Sequence, residues 1–131
     1  MKSFPFPTLL RKPLFAIAVG CMLFMSLWPR EYLDANVSRD IQAYDFAIHA
    51  FSYLMFAASA LFAWGDRQHP WRSRGIVWSG CIVFGILMEI AQATIPGINR
   101  TFQVSDILSN ALGAFIGVLI FLPYFWPGTK Q

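Results

Sequence analysis

The stretch Gly75–Ile95, GIVWSGCIVFGILMEIAQATI, decides the fold, because it contains a single charged residue, Glu89, in a run long enough to cross a membrane. At about 1.5 Å of rise per residue, a helix needs roughly 20 residues to cross a hydrocarbon core of about 30 Å. Further apolar stretches lie at residues 13–28, 41–64 and 104–126. The sequence therefore predicts an all-α integral membrane protein, a four-helix bundle that forms a single domain over residues 1–131.

The composition supports a membrane environment. Of the 131 residues, 56% are hydrophobic and 13% are charged, and the mean hydropathy is +0.51. These values exclude a soluble two-domain enzyme. Ten Lys and Arg residues against seven Asp and Glu residues give a net charge of +3. The charges flank the apolar runs, so we expect membrane lipids as partners and no nucleic acid.

The distribution of basic residues predicts the orientation. If the N-terminus is cytoplasmic, the inner segments hold Lys2, Arg11, Lys12, Arg67, Arg72, Arg74 and Lys130. The outer links then hold Arg30, Arg39 and Arg100. This bias predicts that both termini are cytoplasmic. The first stretch ends without a small-residue cleavage site, so we interpret it as a retained span and not as a signal peptide.

Three of the predicted helices carry a polar stripe with helical spacing. The stripes consist of Asp45, His49 and Tyr53, of Glu89 and Gln92, and of Asp106 and Asn110. In the predicted orientation all three stripes lie at the outer ends of their helices, below Arg100 in the last link. An ionisable side chain costs about 2.5–3.5 kcal/mol in the hydrocarbon core, so we expect these eight residues to face one another. They form the candidate site, a polar pocket open to the outer surface.

Several of these residues also have a purely structural interpretation. Asp106 follows Ser105 at the start of a helix and could cap its N-terminus. Tyr53 could be a packed aromatic residue with a satisfied hydroxyl group. Glu89 is the hardest residue to explain structurally, and its best structural partner is Arg100. A polar cluster that only holds the bundle together therefore stays an open alternative.

No compact motif selects a reaction. Asp, Glu and His can bind divalent metals, but the chain has no HExxH signature, so we expect no metal and no cofactor. A general base could be built from His49 with Glu89 or Asp106, but no Gly-x-Ser-x-Gly nucleophile is present. The sequence therefore does not decide whether the protein is an enzyme.

Small and sulfur-containing residues inside the spans have structural roles. Cys21 and Cys81 are predicted to be free, buried thiols. Close helix packing is predicted at Gly80, Gly85, Gly113 and Gly117.

One set of motifs spans residues 45 to 117. It comprises Asp45-x-x-x-His49-x-x-x-Tyr53, Glu89-x-x-Gln92, Pro96-Gly97, Arg100 and Ser105-Asp106-x-x-x-Asn110-x-x-Gly113-x-x-x-Gly117. In these motifs the chain resembles the VanZ-like family of small bacterial membrane proteins, although the family usually has Lys and Phe where this chain has Phe46 and Ala50. The resemblance implies a multi-pass protein of the bacterial cytoplasmic (inner) membrane. It also implies a link to low-level teicoplanin resistance, the property of the founding member, but no established reaction.

Two functional hypotheses follow. In the first, the outer pocket binds the headgroup of a lipid or cell-envelope precursor and influences susceptibility to lipoglycopeptides of the teicoplanin type. The envelope precursor or the lipoglycopeptide is then a further partner. In the second, the protein is an integral-membrane enzyme that acts on such a headgroup through His49 and Glu89 or Asp106.

Overall fold

The fold consists of four α-helices. The computed structural model describes residues 8–29, 35–66, 68–98 and 100–120. The helices are α1 (Thr8–Leu27), α2 (Ala35–Trp64), α3 (Pro70–Thr94) and α4 (Val104–Ile120). These described ranges contain no strand, and the predicted all-α class is confirmed.

Three of the helices could cross a membrane. The segments Leu9–Leu27, Tyr44–Trp64 and Pro70–Thr94 are long and apolar enough to do so, and α4 is a shorter apolar helix. Large apolar side chains cover the outside of the bundle, as illustrated by Phe24 and Phe51, which are 62% and 65% exposed. A surface of this kind suits lipid as the surrounding solvent. Residues 121–126 of the predicted fourth stretch, together with Lys2, Arg30, Arg67 and Lys130, lie outside the described residues.

The first three helices begin earlier than the apolar stretches predicted. They start at residues 8, 35 and 70, where the sequence predicted 13, 41 and 75. The apolar pattern does not detect a polar first turn, so each of these helices extends beyond its apolar stretch. In α1 the early turns include Arg11, whose guanidinium lies 5.2 Å from the centre of the Phe62 ring. Helix α3 starts at Pro70, which suits the first turn because proline lacks the amide hydrogen that would be unpaired there.

Helix α2 is the centre of the bundle and packs against all three other helices. Its most extensive contact is with α4, which is not its neighbour in sequence, and helices adjacent in sequence also pack together. The physical reason is the small-residue face of α4. A Cβ atom at Gly113 would overlap the backbone of Ala50, and one at Gly117 would lie 2.5 Å from the Leu54 carbonyl oxygen. The two helices therefore approach to backbone contact.

The predictions for the remaining glycines and for the cysteines are confirmed in part. Gly85 packs closely, because a Cβ atom there would lie 3.2 Å from the Asn110 side chain. Gly80 has no atom within 4 Å of such a position, so the prediction of close packing at Gly80 was wrong. Both cysteines are free, but only Cys81 is buried. Cys21 lies on the exposed face of α1, and its predicted burial was wrong.

The core lies on the inner faces of α2, α3 and α4. It contains Tyr53, Phe56, Ala57, Leu61, Cys81, Ala114 and Val118, together with Met22 of α1. Among the described side chains of α1, only Met22 is buried. Phe15 adds an edge-on contact with Trp64, at 4.5 Å between ring centres. Helix α1 thus covers one side of a bundle whose tightest contact is between α2 and α4.

Candidate functional site

His49 is the centre of the polar cluster. Its Nδ1 atom lies 3.0 Å from Oδ1 of Asn110. Its Nε2 atom lies 3.8 Å from Oδ1 of Asp45 and 3.7 Å from Oδ2 of Asp106. The side chains of His49, Asp45 and Asp106 are 12%, 13% and 10% exposed. The structure therefore brings two of the predicted polar stripes together around one imidazole.

Helical spacing and the contact between α2 and α4 position this cluster. Asp45 and His49 are four residues apart on α2, and Asp106 and Asn110 are four residues apart on α4, so each pair shares one helix face. Gly113 lies about one turn beyond Asn110 and contacts Ala50, the residue after His49. Because the backbones touch there, the short Asp and Asn side chains of α4 can reach the imidazole.

Glu89 lies near the end of α3. It is only 1% exposed, and its Oε2 atom accepts a hydrogen bond of 3.2 Å from the backbone amide of Gln103. This bond holds the start of α4 against the end of α3. The intervening turn includes Gly97, whose φ of +88° is a conformation that favours glycine. The pairing of Glu89 with Arg100 stays a prediction.

Asp106 is not an N-cap. It is the third residue of α4, which begins at Val104. Its Oδ1 atom accepts a hydrogen bond of 3.3 Å from the Ser105 hydroxyl, and Oδ2 faces His49. The capping interpretation of Asp106 is therefore replaced by one in which its carboxylate belongs to the cluster.

Gln92 and Tyr53 each contact a neighbouring helix. The Gln92 side chain donates a hydrogen bond of 2.8 Å to the Ser26 carbonyl oxygen and so ties α3 to the end of α1. The Tyr53 ring is buried in the core. Its hydroxyl group faces Gly85, where a Cβ atom would lie 3.3 Å away. Gln92 is thus a link between helices, and Tyr53 lies one turn deeper than His49.

A cavity of about 440 Å³ opens between α1 and α2 beside the cluster. Its polar wall includes Asp45, His49 and Arg100. The α1 side of the cavity is formed by Met22, Phe24, Met25, Ser26 and Trp28. Four of the eight predicted residues line this cavity, namely Asp45, His49, Tyr53 and Arg100. Asp106 and Asn110 lie against His49 from α4.

The sequence did not predict the α1 wall of the cavity. Polar residues within apolar stretches indicated the other site residues, and α1 has only Ser26 of this kind near its end. A second cavity of about 540 Å³ shares Met22, Met25, Ile48 and Ser52 with the first and continues along the α1–α2 seam. Its remaining lining is mostly apolar and includes Ala18, Ala47, Phe51, Met55 and Phe56. No pattern in the sequence marks this seam.

Among the described residues, one group of side chains could hold a metal ion. Asp45, His49 and Asp106 each offer one ligand atom, and these three atoms lie within 4.8 Å of one another. Arg74 is buried at the opposite end of the bundle, where its guanidinium lies 4.9 Å from the Trp71 ring centre. It is therefore not part of this cluster.

The fold and this cluster define a class of protein: a small helical membrane protein with a buried His–Asp–Asn group at one end. The VanZ/LLP1 family model matches residues 6–126, so the chain belongs to that family. The family resemblance read from the motifs is confirmed, and the match covers all four helices. Comparisons with curated proteins and with solved structures find no match.

Proposed function

We propose that this protein binds the polar headgroup of a membrane lipid or cell-envelope precursor in the cavity between α1 and α2. The observation that carries the proposal is the composition of the cavity wall. A carboxylate, an imidazole and a guanidinium, from Asp45, His49 and Arg100, line one wall of a space that is otherwise largely apolar. A few convergent polar groups in an apolar pocket of 300–1,000 Å³ are typical of small-molecule sites.

Each polar group in the wall suits a different part of a headgroup. A guanidinium pairs with phosphate through two parallel hydrogen bonds, so Arg100 is the expected phosphate contact. Asp45 accepts hydrogen bonds and favours an ammonium or hydroxyl group. The wall therefore favours an amphiphile that carries both a phosphate and a hydrogen-bond donor.

The second cavity supports an amphiphilic occupant. It adjoins the headgroup cavity through Met22, Met25, Ile48 and Ser52 and follows the α1–α2 seam. Its lining is almost entirely apolar, and α1 itself is mostly exposed. A headgroup beside His49 can thus have its acyl or prenyl chain in the seam, where van der Waals packing against the helices replaces packing against other lipid chains.

The proposed setting is the outer leaflet of the bacterial cytoplasmic membrane, with both termini in the cytoplasm. Retention of an envelope precursor there would change its availability to lipoglycopeptides. We therefore propose an influence on susceptibility to teicoplanin-type antibiotics, which the family assignment supports.

An enzymatic alternative has one observation in its favour. Asn110 fixes the His49 ring through Nδ1, an arrangement that orients a general base. Turnover distinguishes the two functions. A binding protein leaves a phospholipid or prenyl phosphate unchanged after prolonged incubation, whereas the enzyme releases a headgroup product that chromatography detects.

The binding experiment uses purified protein in detergent with short-chain phosphatidylglycerol and with a prenyl phosphate as probes. We expect Arg100→Gln to weaken binding of both probes by about 10- to 100-fold, since a hydrogen bond to a charged group contributes about 1.5–3 kcal/mol. Arg72→Gln, which changes an exposed arginine at the opposite end of the bundle, is the matched control. Equal affinities for wild type, Arg100→Gln and Arg72→Gln would refute the headgroup site.

A further inference from the structure

We infer that Asp45, His49 and Asp106 form a binding site for one divalent metal ion at the wall of the headgroup cavity. Two carboxylates and an imidazole are donors that first-row divalent ions accept. The inference goes beyond the proposed function and does not depend on it, because the ion can bind with or without a headgroup present.

The distances within the cluster suit an ion better than a direct hydrogen bond. A hydrogen bond between a charged nitrogen and a carboxylate is about 2.7–2.9 Å long, whereas His49 Nε2 lies 3.8 Å and 3.7 Å from the two carboxylate oxygens. The three donor atoms all lie within 4.8 Å of one another. One ion with metal–ligand bonds of about 2.0–2.2 Å can bridge atoms with this separation after only a small adjustment.

The tautomer of His49 provides an independent argument. Asn110 is 1% exposed, and its Oδ1 atom lies 3.0 Å from Nδ1 of His49. In the tautomer that carries its proton on Nδ1, His49 donates this hydrogen bond, and the lone pair of Nε2 faces Asp45 and Asp106. In that tautomer a cation between Nε2 and the two carboxylate oxygens would be stabilised by all three atoms. An imidazole held through its other nitrogen is also the usual arrangement of a metal-binding histidine.

The carboxylates of the cluster also suit a divalent ion. When ionised, Asp45 and Asp106 carry two negative charges beside His49, and one divalent cation balances both.

The donor set also indicates the kind of ion. Three protein ligands that include an imidazole leave coordination positions open, as in sites that bind Zn²⁺ or Mn²⁺ together with water or a substrate. Ca²⁺ prefers six to eight oxygen ligands and is a poorer match. Because Asp45 and His49 also line the cavity, an ion held by them would lie at its wall.

The test measures binding of Zn²⁺ and Mn²⁺ to the full chain in nanodiscs after treatment with a chelator. Isothermal titration calorimetry with ZnCl₂ and electron paramagnetic resonance with MnCl₂ are the readouts, and no lipid probe is added. We expect one ion per chain and at least a tenfold loss of affinity in Asp106→Asn. His69→Gln is the matched control, because His69 also contacts a carboxylate, with Nδ1 3.0 Å from Asp66 Oδ2, but at an exposed position without a third ligand.

Two further measurements keep the inference falsifiable if a variant is unstable. Thermal unfolding of wild type should shift upward with Zn²⁺, and nitrogen NMR of His49 should show that Nε2 is the atom that changes. Binding that persists in Asp106→Asn but disappears in His69→Gln would assign the ion to the exposed histidine and overturn the inference. A protonated Nε2 that does not respond to Zn²⁺ would show that an imidazolium ion, and no metal, occupies the centre of the cluster.

Discussion

Replacement of Gly113 by alanine should separate the two helices that carry the candidate site. The new Cβ atom would overlap the Ala50 carbonyl oxygen and lie 2.6 Å from the carbonyl carbon and 2.7 Å from Cα of the same residue. Ordinary contacts of a Cβ atom begin at about 3.4 Å. The obstacle is helix backbone, which cannot rotate away as a flexible side chain would. Helices α2 and α4 must therefore move apart by about 1 Å.

The cost of this movement exceeds the intrinsic gain from alanine. Overpacking typically costs about 1–3 kcal/mol, and a backbone obstacle places Gly113→Ala at or above the upper end of that range. Alanine is favoured over glycine in a helix by about 1 kcal/mol. The net destabilisation is then about 2 kcal/mol or more, which corresponds to roughly a 30-fold change in the folding equilibrium. The same movement draws Asp106 and Asn110 away from His49, the residue before Ala50.

The assay is reversible unfolding in bicelles or mixed micelles, followed by circular dichroism. Gly80→Ala is the matched control, since no atom lies within 4 Å of a Cβ atom at Gly80. We expect Gly80→Ala to equal or exceed the stability of wild type, by up to about 1 kcal/mol. If Gly113→Ala and Gly80→Ala unfold at the same denaturant fraction, the reasoning about the α2–α4 contact is refuted.

Three further predictions concern other parts of the chain. In a cysteine-free background, a cysteine at Thr101 should be labelled by a membrane-impermeant reagent from outside the cell and one at Gln68 should not; the reverse pattern would invert the proposed orientation. Hydrogen bonds from the His69 side chain and the Gln68 amide lower the pKa of Asp66. The contribution of Asp66 to stability should therefore be present above the ordinary carboxyl pKa and be lost as the pH falls through the lowered value. Carboxyl NMR titration checks this, and an ordinary pKa for Asp66 would contradict it. Gln92→Leu removes the hydrogen bond to the Ser26 carbonyl and should increase hydrogen exchange at the end of α1, whereas unchanged exchange would show that this bond does not hold α1.

The composition of the cluster could be predicted because helical spacing constrains it. Asp45 and His49 must share a face of α2, and Asp106 and Asn110 must share a face of α4, whatever the rest of the bundle does. Polar groups in hydrocarbon must then find one another. The partners within the cluster could not be predicted. That Asn110 binds Nδ1 of His49 depends on the register of α2 against α4, which the contact between Gly113 and Ala50 sets.

The fold, like the cluster, could be predicted from the sequence only in part. Apolar stretches predicted four helices, because burial in lipid requires continuous runs. The apolar stretches did not predict that α2 packs most closely on α4. Gly113 and Gly117 indicate a close contact, but they do not identify the helix that α4 contacts. The α1 wall of the cavity was missed for a related reason. Met22 and Met25 look the same in sequence whether they face lipid, the core or a ligand.

The site combines one rigid wall and one adaptable wall. Asp45 and His49 share a face of α2, and Asp106 and Asn110 share a face of α4. The two helices touch through their backbones at Gly113 and Ala50, so this contact sets the distances from His49 to Asp106 and Asn110. The opposite wall belongs to α1, in which Met22 is the one buried side chain among those described, and it contains methionines that adapt to irregular shapes. The proposed metal ion, whose binding depends on fixed distances, would therefore be held by α2 and α4. The proposed hydrocarbon chain would lie against the α1 wall, an arrangement that suits recognition of one headgroup on lipids with different chains.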